Sequence, residues 1–264
     1  MDEQAFMPPV KPELEAVVFD AGGTLVRLDE EWFVEVLTGL GVSIDLAGMR
    51  RAEVEGRRRY DAAAGTMPRT PVSGSHPPLG SVGPSGAYFT GMIEAAGCPA
   101  DRIEHVLALI QQRQVPPSLL WSRPKEGMRH AMDALASLGL RMCCVSNSDG
   151  RAELHLERTG MREGLEFVID SQVVGLEKPD PRIFALALER MGLPPERTVY
   201  IGDLRSVDAA GARNAGMHFV LLDPFGDYAG PDQLSVRGPE ELPAFLASRF
   251  TLVSSRSGSR TTPS

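Results

Sequence analysis

The stretch LEAVVFDAGGTL, residues 14–25, decides the fold of this chain. Its first six residues form an apolar run with β-branched side chains, which predicts a buried strand. The cluster from Asp20 to Thr24 follows directly and predicts a turn. A lone strand needs partners, and none is predicted nearby in sequence. We therefore expect this strand to join strands that come much later in the chain.

From residue 125 onward, apolar runs and helical patterns alternate along the chain. Strands are predicted at 140–146, 165–170, 198–202 and 218–223, and helices at 125–139, 150–159, 181–191 and 205–215. Strands separated by helices of this length predict βαβ units and a parallel sheet. The predicted fold class is therefore α/β, with a Rossmann-like parallel sheet that includes the early strand.

The early strand and the later sheet are separated by a mainly helical segment. We predict one core domain made of 1–28 and 123–252, with an inserted α-helical cap at 29–122. Within the cap, residues 65–86 are rich in Pro, Gly and Ser, which predicts a flexible loop. The polar tail 253–264 is predicted to be disordered.

Composition excludes several functional classes. The 264 residues carry 27 Lys+Arg against 35 Asp+Glu, and this net charge of −8 argues against nucleic-acid binding. Three cysteines cannot form a disulfide framework. We find no signal peptide and no apolar run of ~18 residues that would span a membrane. We expect a cytoplasmic protein, either a monomer or a homodimer, whose partner is a small molecule.

Polar side chains follow four of the predicted strands. They are Asp20, Ser146, Asn147, Lys178, Asp203 and Asp208. Ligands of open parallel sheets bind at the carboxyl ends of the strands, so these side chains should share one crevice. Carboxylates suit Mg²⁺, and a lysine adds a compact positive charge for a phosphate.

This constellation resembles the haloacid dehalogenase (HAD) superfamily over residues 14–222. The matching motifs, in order, are D-A-G-G-T-L at 20–25, S-N at 146–147, E-K-P-D-P at 177–181 and G-D-L-R-S-V-D at 202–208. The helical insertion resembles that family's cap of the first type. The intact acidic fourth motif favours the metal-dependent branch, which includes phosphoglycolate phosphatases, over the metal-free dehalogenases.

The resemblance implies a role for each residue. Asp20 would be the nucleophile that forms an aspartyl-phosphate. Asp20, the Gly22 carbonyl and Asp203 would hold Mg²⁺, with Asp208 as a further ligand or a supporting group. Lys178 would neutralise both Asp20 and the phosphate of a small phosphorylated metabolite. The remaining phosphate contacts would come from Ser146, Asn147 and the backbone amides near Gly22 and Gly23.

One position departs from the family pattern. The family's phosphatases carry an Asp where this chain has Gly22, and that Asp protonates the leaving group. Such acid–base help is typically worth ~10²–10⁴-fold. Asp29 is one candidate replacement. Two alternatives to a phosphatase stay open: a catalytically weak protein that binds phosphate ligands or regulates, and a carbon–halogen hydrolase.

The run Arg57-Arg58-Arg59 has two interpretations. It is either a solvated helix face or, as part of the cap, an attractor of anionic substrates.

Overall fold

The computed structural model of the chain describes residues 11–66, 83–114 and 120–254. Its strands are β1 (Glu13–Leu14), β2 (Ala16–Phe19), β3 (Val26–Arg27), β4 (Arg123–Pro124), β5 (Arg141–Ser146), β6 (Val168–Asp170), β7 (Thr198–Gly202), β8 (His218–Leu222), β9 (Ser235–Val236) and β10 (Thr251–Leu252). Its α-helices are α1 (Glu30–Gly39), α2 (Leu46–Thr66), α3 (Gly83–Ala95), α4 (Ile103–Arg113), α5 (Met128–Ser137), α6 (Ala152–Arg158), α7 (Ser171–Val174), α8 (Pro181–Met191), α9 (Ala210–Asn214) and α10 (Leu242–Arg249). A π-helical turn at Arg205–Ala209 precedes α9.

Six strands form one parallel sheet in the order β6-β5-β2-β7-β8-β9. The early strand β2 lies in its middle, where Phe19 is in register with Cys144 of β5 and Ile201 of β7. The predicted α/β fold with a Rossmann-like parallel sheet is confirmed. The register brings the residues that follow β2, β5 and β7 to the same edge.

The sheet is buried on both faces. Val17 and Phe19 of β2 belong to one hydrophobic cluster, and Ala16 and Val18 belong to a second. This division follows from the strand's period of two, which sends alternate side chains to opposite faces. A strand covered on both faces reads as a continuous apolar run, and this is the pattern of AVVF.

The helices α1 to α4, which we call the cap helices, have a hydrophobic cluster of their own. The two chain segments that connect them to the sheet pair as an antiparallel ribbon, with Val26 opposite Pro124 and Arg27 opposite Arg123. On this packing we propose that 29–122 is an inserted cap. Helix α2 touches the carboxyl edge of the sheet, where Arg57 donates a hydrogen bond to the carbonyl oxygen of Leu222 at 3.3 Å.

Two predicted irregular segments differ from the structure at their ends. Helix α2 continues to Thr66 and α3 begins at Gly83, so both ends of the predicted loop 65–86 are helical. The rest of that loop lies outside the described residues. In the predicted tail, the backbone N–H of Val253 donates to the carbonyl oxygen of Leu14. This bond extends the pairing of β1 with β10, and residues 255–264 lie outside the described range.

Within the described ranges, no helix combines the length and the apolar character that crossing a membrane requires.

Candidate active site

Three aspartates meet at the carboxyl edge of the sheet. Asp20 follows β2, while Asp203 and Asp208 follow β7. One carboxylate oxygen of each lies within 4.8 Å of the others, and all three residues are buried. The strand register therefore assembles the cluster that the sequence predicted.

Lys178 is the central cation of this cluster. Its buried ammonium donates hydrogen bonds to Asp20 Oδ1 at 2.5 Å, to Asp208 Oδ1 at 2.8 Å and to the Tyr200 hydroxyl at 2.8 Å. Tyr200 in turn donates to the carbonyl oxygen of Val145 at 2.8 Å. All three ammonium protons have acceptors, so Lys178 is fixed against the nucleophile. Sequence reasoning missed Tyr200, whose only signal was a polar aromatic residue inside the buried strand TVYIG.

Asn147 positions Lys178 by binding its backbone. The Asn147 amide donates to the carbonyl oxygen of Lys178 at 3.0 Å, and its Oδ1 accepts from the Lys178 N–H at 2.8 Å. Both ends of the side-chain amide are thus engaged. We therefore assign Asn147 to positioning Lys178, where the sequence had suggested a phosphate contact. Ser146, the last residue of β5, is buried at the same edge.

Asp208 shapes the loop that carries Asp203. Its Oδ2 accepts hydrogen bonds from the backbone N–H groups of Asp203 at 3.1 Å and Leu204 at 3.0 Å, while its Oδ1 accepts from Lys178. The carboxylate is so close to Gly202 that a Cβ atom there would lie 2.5 Å from Asp208 Cγ. Of the two roles that the resemblance left open for Asp208, the geometry favours the supporting one.

The carboxylate of Asp203 has one oxygen that the described residues leave without a hydrogen bond. Within the described residues its Oδ1 is buried without a hydrogen-bond partner, and Arg57 Nε lies 3.3 Å from its Oδ2. A buried polar atom without a partner is costly, so such an atom points to a missing ligand. The carboxylate also lies against Gly23, which has a φ of +83° and no room for a Cβ atom.

In the motif at 20–25, the backbone groups of Gly22 and Gly23 differ in whether they form hydrogen bonds within the turn. A short bridge forms between Val26 N–H and the Ala21 oxygen at 2.9 Å, and between Gly23 N–H and the Val26 oxygen at 2.7 Å. The bridge uses neither the amide nor the carbonyl of Gly22, which stay available for ligands. The amide of Gly23 donates to the Val26 oxygen, so of these two amides the geometry favours that of Gly22 for a phosphate contact.

The electrostatics of the cluster suit a cation. Burial raises the pKa of Asp20 to about 6, with the charge of Asp208 adding to the effect and Lys178 opposing it. Burial likewise raises the pKa of Asp203 well above its ordinary value, against the lowering effect of Arg57. Removing these carboxylates from water disfavours their charged forms unless a counter-ion compensates. Three carboxylates, one with a spare oxygen, and the free Gly22 carbonyl are donors that fit Mg²⁺.

The cap helices contribute a buried cation that the sequence left ambiguous. Arg57, on α2, is 1% exposed and donates to Glu53 Oε1 at 3.2 Å, an oxygen that also accepts from the Tyr88 hydroxyl. Arg58 is half-buried and Arg59 is exposed, and both form ion pairs with Glu55. Only the first arginine of the run therefore reaches the site. A helical wheel would separate them, but it could not say which one faces the sheet.

The carboxylate of Asp29 is held in two ion pairs. Its buried carboxylate binds the guanidinium groups of Arg113 and Arg123. It therefore joins the end of helix α4 to strand β4. Because both of its carboxylate oxygens contact guanidinium groups, the geometry argues against Asp29 as the replacement acid.

Comparison with known proteins fits this geometry. The family model for haloacid dehalogenase-like hydrolases matches residues 14–216. A parallel α/β sheet with an acidic cluster and a buried lysine at its carboxyl edge defines a hydrolase of this class. The chain belongs to the haloacid dehalogenase-like hydrolase family.

Individual relatives cover part of the chain. It is 38% identical over 118 residues to haloacid dehalogenase-like hydrolase domain-containing protein 3 from Bos taurus, covering 45% of each protein. It is 37% identical over 118 residues to glyceraldehyde 3-phosphate phosphatase from Methanothermobacter thermautotrophicus, covering 44% of this chain and 51% of that one. The matches thus span about half the length of these curated relatives.

Solved structures share the fold over most of the chain. A HAD phosphatase from Thermococcus onnurineus has a TM-score of 0.53 at 20% identity, covering 90% of this chain and 100% of that one. The HAD hydrolase YfnB from Bacillus subtilis, described as bound to magnesium, has a TM-score of 0.57 at 19% identity, covering 89% and 99%. At these identities the likeness concerns the fold alone.

Proposed function

We propose that this hydrolase is a Mg²⁺-dependent phosphatase of a small phosphorylated metabolite, and that it acts through a phosphoenzyme on Asp20. The observation that carries the proposal is the buried group of Asp20, Asp203 and Asp208 around Lys178. The name of the archaeal relative, glyceraldehyde 3-phosphate phosphatase, gives independent support.

Asp20 would act as the nucleophile. Lys178 holds one of its oxygens at 2.5 Å and so orients the carboxylate toward the phosphorus. The attack forms a bond between Asp20 oxygen and phosphorus while the bond to the leaving oxygen breaks. Water then attacks the aspartyl-phosphate, and the electron pair returns to the Asp20 carboxylate. Positioning and charge supply most of the catalysis of such a transfer.

The charges around the phosphate come from both sides of the cluster. Lys178 stays protonated, because Asp20 and Asp208 outweigh the opposing effect of burial and raise the pKa of Lys178. Mg²⁺, held by Asp20, the Gly22 carbonyl and Asp203, would supply positive charge that offsets the repulsion between Asp20 and an anionic substrate. Ser146 and the Gly22 amide would hold phosphate oxygens.

The acidic cluster also weighs against a carbon–halogen hydrolase. Displacement of halide by Asp20 gives no task to Asp203, whose Oδ1 is buried without a hydrogen-bond partner among the described residues.

The test is hydrolysis of 4-nitrophenyl phosphate with and without Mg²⁺. Wild type should turn it over only with the metal, and Asp20→Asn should fall to the level of buffer alone. Asp133→Asn is a matched control, because Asp133 is an exposed carboxylate on α5 that pairs only with Arg129 among the described residues. Halide release without metal would contradict the proposal. Binding of a phosphate ester without turnover would favour the binding or regulatory alternative.

A further inference from the structure

An aromatic ring lies beside the position that a side chain at Gly22 would take. A Cβ atom built on Gly22 would lie 3.5 Å from both Cε3 and Cζ3 of Trp121, in ordinary contact with the indole. Gly22 is not among the glycines with positive φ, so its backbone would accept any residue. The turn therefore does not require glycine at this position, and the first atom of a side chain there would lie against the indole.

Trp121 is fixed in this position. It is half-buried and packs against both the sheet cluster that contains Phe19 and the cluster of the cap helices. His155 Nδ1 donates to the Trp121 carbonyl oxygen at 2.8 Å. The indole thus lies at the junction of sheet and cap, directly above the loop that follows the nucleophile.

This junction is the side on which a leaving group would depart. In-line transfer places the attacking and leaving oxygens on opposite sides of phosphorus. Asp20 attacks from the sheet, so the leaving oxygen faces the cap helices. The described groups found there are the Trp121 indole, the guanidinium of Arg57 and the side chain of Lys125. Burial and the charge of Arg57 lower the pKa of Lys125, against the opposing effect of Glu53 and Asp203.

The buried carboxylates of the cap helices near the site are already engaged. Burial raises the pKa of Glu30, and its Oε2 accepts hydrogen bonds from Arg27 and Arg50, both at 2.9 Å. Burial opposes ionisation of Glu53, but Arg57 and Lys125 outweigh it and hold the pKa of Glu53 below its ordinary value. Asp61 accepts hydrogen bonds from Ser206 N–H at 2.9 Å and from the Tyr228 hydroxyl. Burial raises the pKa of Tyr60, which weakens its hydroxyl as an acid. The cap side of the site is therefore apolar and cationic, without an available carboxylic acid among these residues.

We propose that the substrate is a phosphate whose leaving oxygen departs as a stabilised anion, such as the carboxylate of an acyl phosphate or an enol or aryl oxide. This inference rests on the proposed phosphatase function and narrows its substrate class. The bond from phosphorus to the leaving oxygen breaks with both electrons on that oxygen, which leaves unprotonated toward Arg57 and Lys125. Water later cleaves the aspartyl-phosphate, and its proton goes to inorganic phosphate or solvent. Trp121 is the specificity-determining residue, because its indole lies beside the position from which a side chain at residue 22 would donate a proton.

The test compares kcat/KM of the full chain with Mg²⁺ on acetyl phosphate, 4-nitrophenyl phosphate, phenyl phosphate and a simple alkyl phosphate. The acyl and nitrophenyl substrates should be hydrolysed at least ~10²-fold faster than the alkyl one, the size of missing acid catalysis. Substituting D₂O for water should leave kcat/KM on 4-nitrophenyl phosphate unchanged. Comparable rates on all four substrates would overturn the inference and leave the phosphatase proposal standing. Inactivity on all four would overturn both.

A pair of double variants tests the role of this position. Gly22→Asp with Trp121→Leu introduces an acid and the space for it, and Gly22→Ala with Trp121→Leu introduces the space alone. The first should exceed the second by on the order of 10²-fold on the alkyl phosphate and match it on acetyl phosphate. Equal rates on the alkyl phosphate would overturn the inference. So would a solvent isotope effect in wild type that disappears in Lys125→Met, because Lys125 would then be the proton donor.

Discussion

The guanidinium of Arg57 lies 3.3 Å from the carboxylate of Asp203, and this buried pair joins the cap helices to the acidic cluster of the sheet. Arg57 stands beside a carboxylate that is also a proposed ligand of Mg²⁺. A guanidinium and a divalent cation repel each other and share the same partner. Binding of the metal and close contact with Arg57 should therefore oppose each other.

This opposition predicts that Arg57→Met binds Mg²⁺ more tightly than wild type does. Removing one positive charge next to Asp203 should raise the affinity at least about tenfold, or about 1.4 kcal/mol, since unit charges at this distance interact by several kcal/mol even at an effective dielectric of 20. Isothermal titration calorimetry measures the change. Arg58→Met is the control, since Arg58 contacts Glu55 and Asp227 at the surface. Equal or weaker affinity in Arg57→Met would refute the opposition.

The raised pKa of Asp20 predicts how the stability of the metal-free protein depends on pH. Its folded pKa of about 6 exceeds the ordinary aspartate pKa of 3.8, so the folded state binds the extra proton between these values. Stability should fall as pH rises through this window, by up to about 3 kcal/mol. Urea unfolding at pH 4, 5, 6 and 7 in the presence of a chelator measures it. Asp203 should contribute a slope of the same sign, because burial raises its pKa as well. Asp20→Asn should therefore reduce the slope without abolishing it, and an unchanged slope would contradict the assignment.

Two adjacent glycines should respond differently to the same substitution. Gly23 has a φ of +83°, and a Cβ atom there would overlap the Asp203 carboxylate, whereas a Cβ atom on Gly22 meets only the indole at 3.5 Å. We expect Gly23→Ala to lower the free energy of unfolding by about 1–3 kcal/mol and to weaken Mg²⁺ binding. Gly22→Ala should change both by little. Thermal unfolding and metal titration of the two variants decide the matter, and equal behaviour would contradict the geometry.

We expect the Tyr200 hydroxyl to affect catalysis through its hydrogen bond with Lys178. Tyr200→Phe keeps the edge contact with Phe184 but removes the hydroxyl that bridges Lys178 and the Val145 carbonyl oxygen. We expect a loss of about 1–3 kcal/mol of stability, because one buried ammonium proton of Lys178 loses its acceptor and the Val145 carbonyl oxygen loses one donor. The rate of phosphoenzyme formation, followed by rapid quench, should fall with little change in KM. Phe184→Leu is the control. It alters the contact with the Tyr200 ring but keeps the Tyr200 hydroxyl, so it should leave that rate unchanged.

Local signals explain which elements the sequence predicted correctly. Helix α8 has the predicted bounds because Asp180 caps its start and Gly192 ends it in the left-handed region. The predicted helix 205–215 instead begins with a π-helical turn, and there the Asp208 side chain binds the amides of Asp203 and Leu204. The β3–β4 ribbon was not predicted, because two strands of two residues each, about 97 positions apart, carry no periodic pattern.

The same distinction applies to the site. Four site residues follow a predicted strand or lie in the loop after one: Asp20, Lys178, Asp203 and Asp208. Because ligands of parallel sheets bind at the carboxyl ends of the strands, the sequence alone predicted that these residues share one site. Arg57 and Trp121 come from the helical insertion and the segment that leaves it. Their place in the site depends on how the cap helices dock, which is a property of the whole fold and of no short stretch of sequence.

The β3–β4 ribbon has a consequence for the exchange of parts between proteins. Arg27 and Arg123 are antiparallel partners, so the chain leaves the sheet and returns to it at neighbouring points. Topologically, everything between them is an enlarged hairpin loop. A segment of any length whose two ends lie side by side can take its place without changing strand order or register. On the proposed function, the part of the chain that would face the leaving group is thus a replaceable module, while the acidic cluster beneath it stays with the sheet.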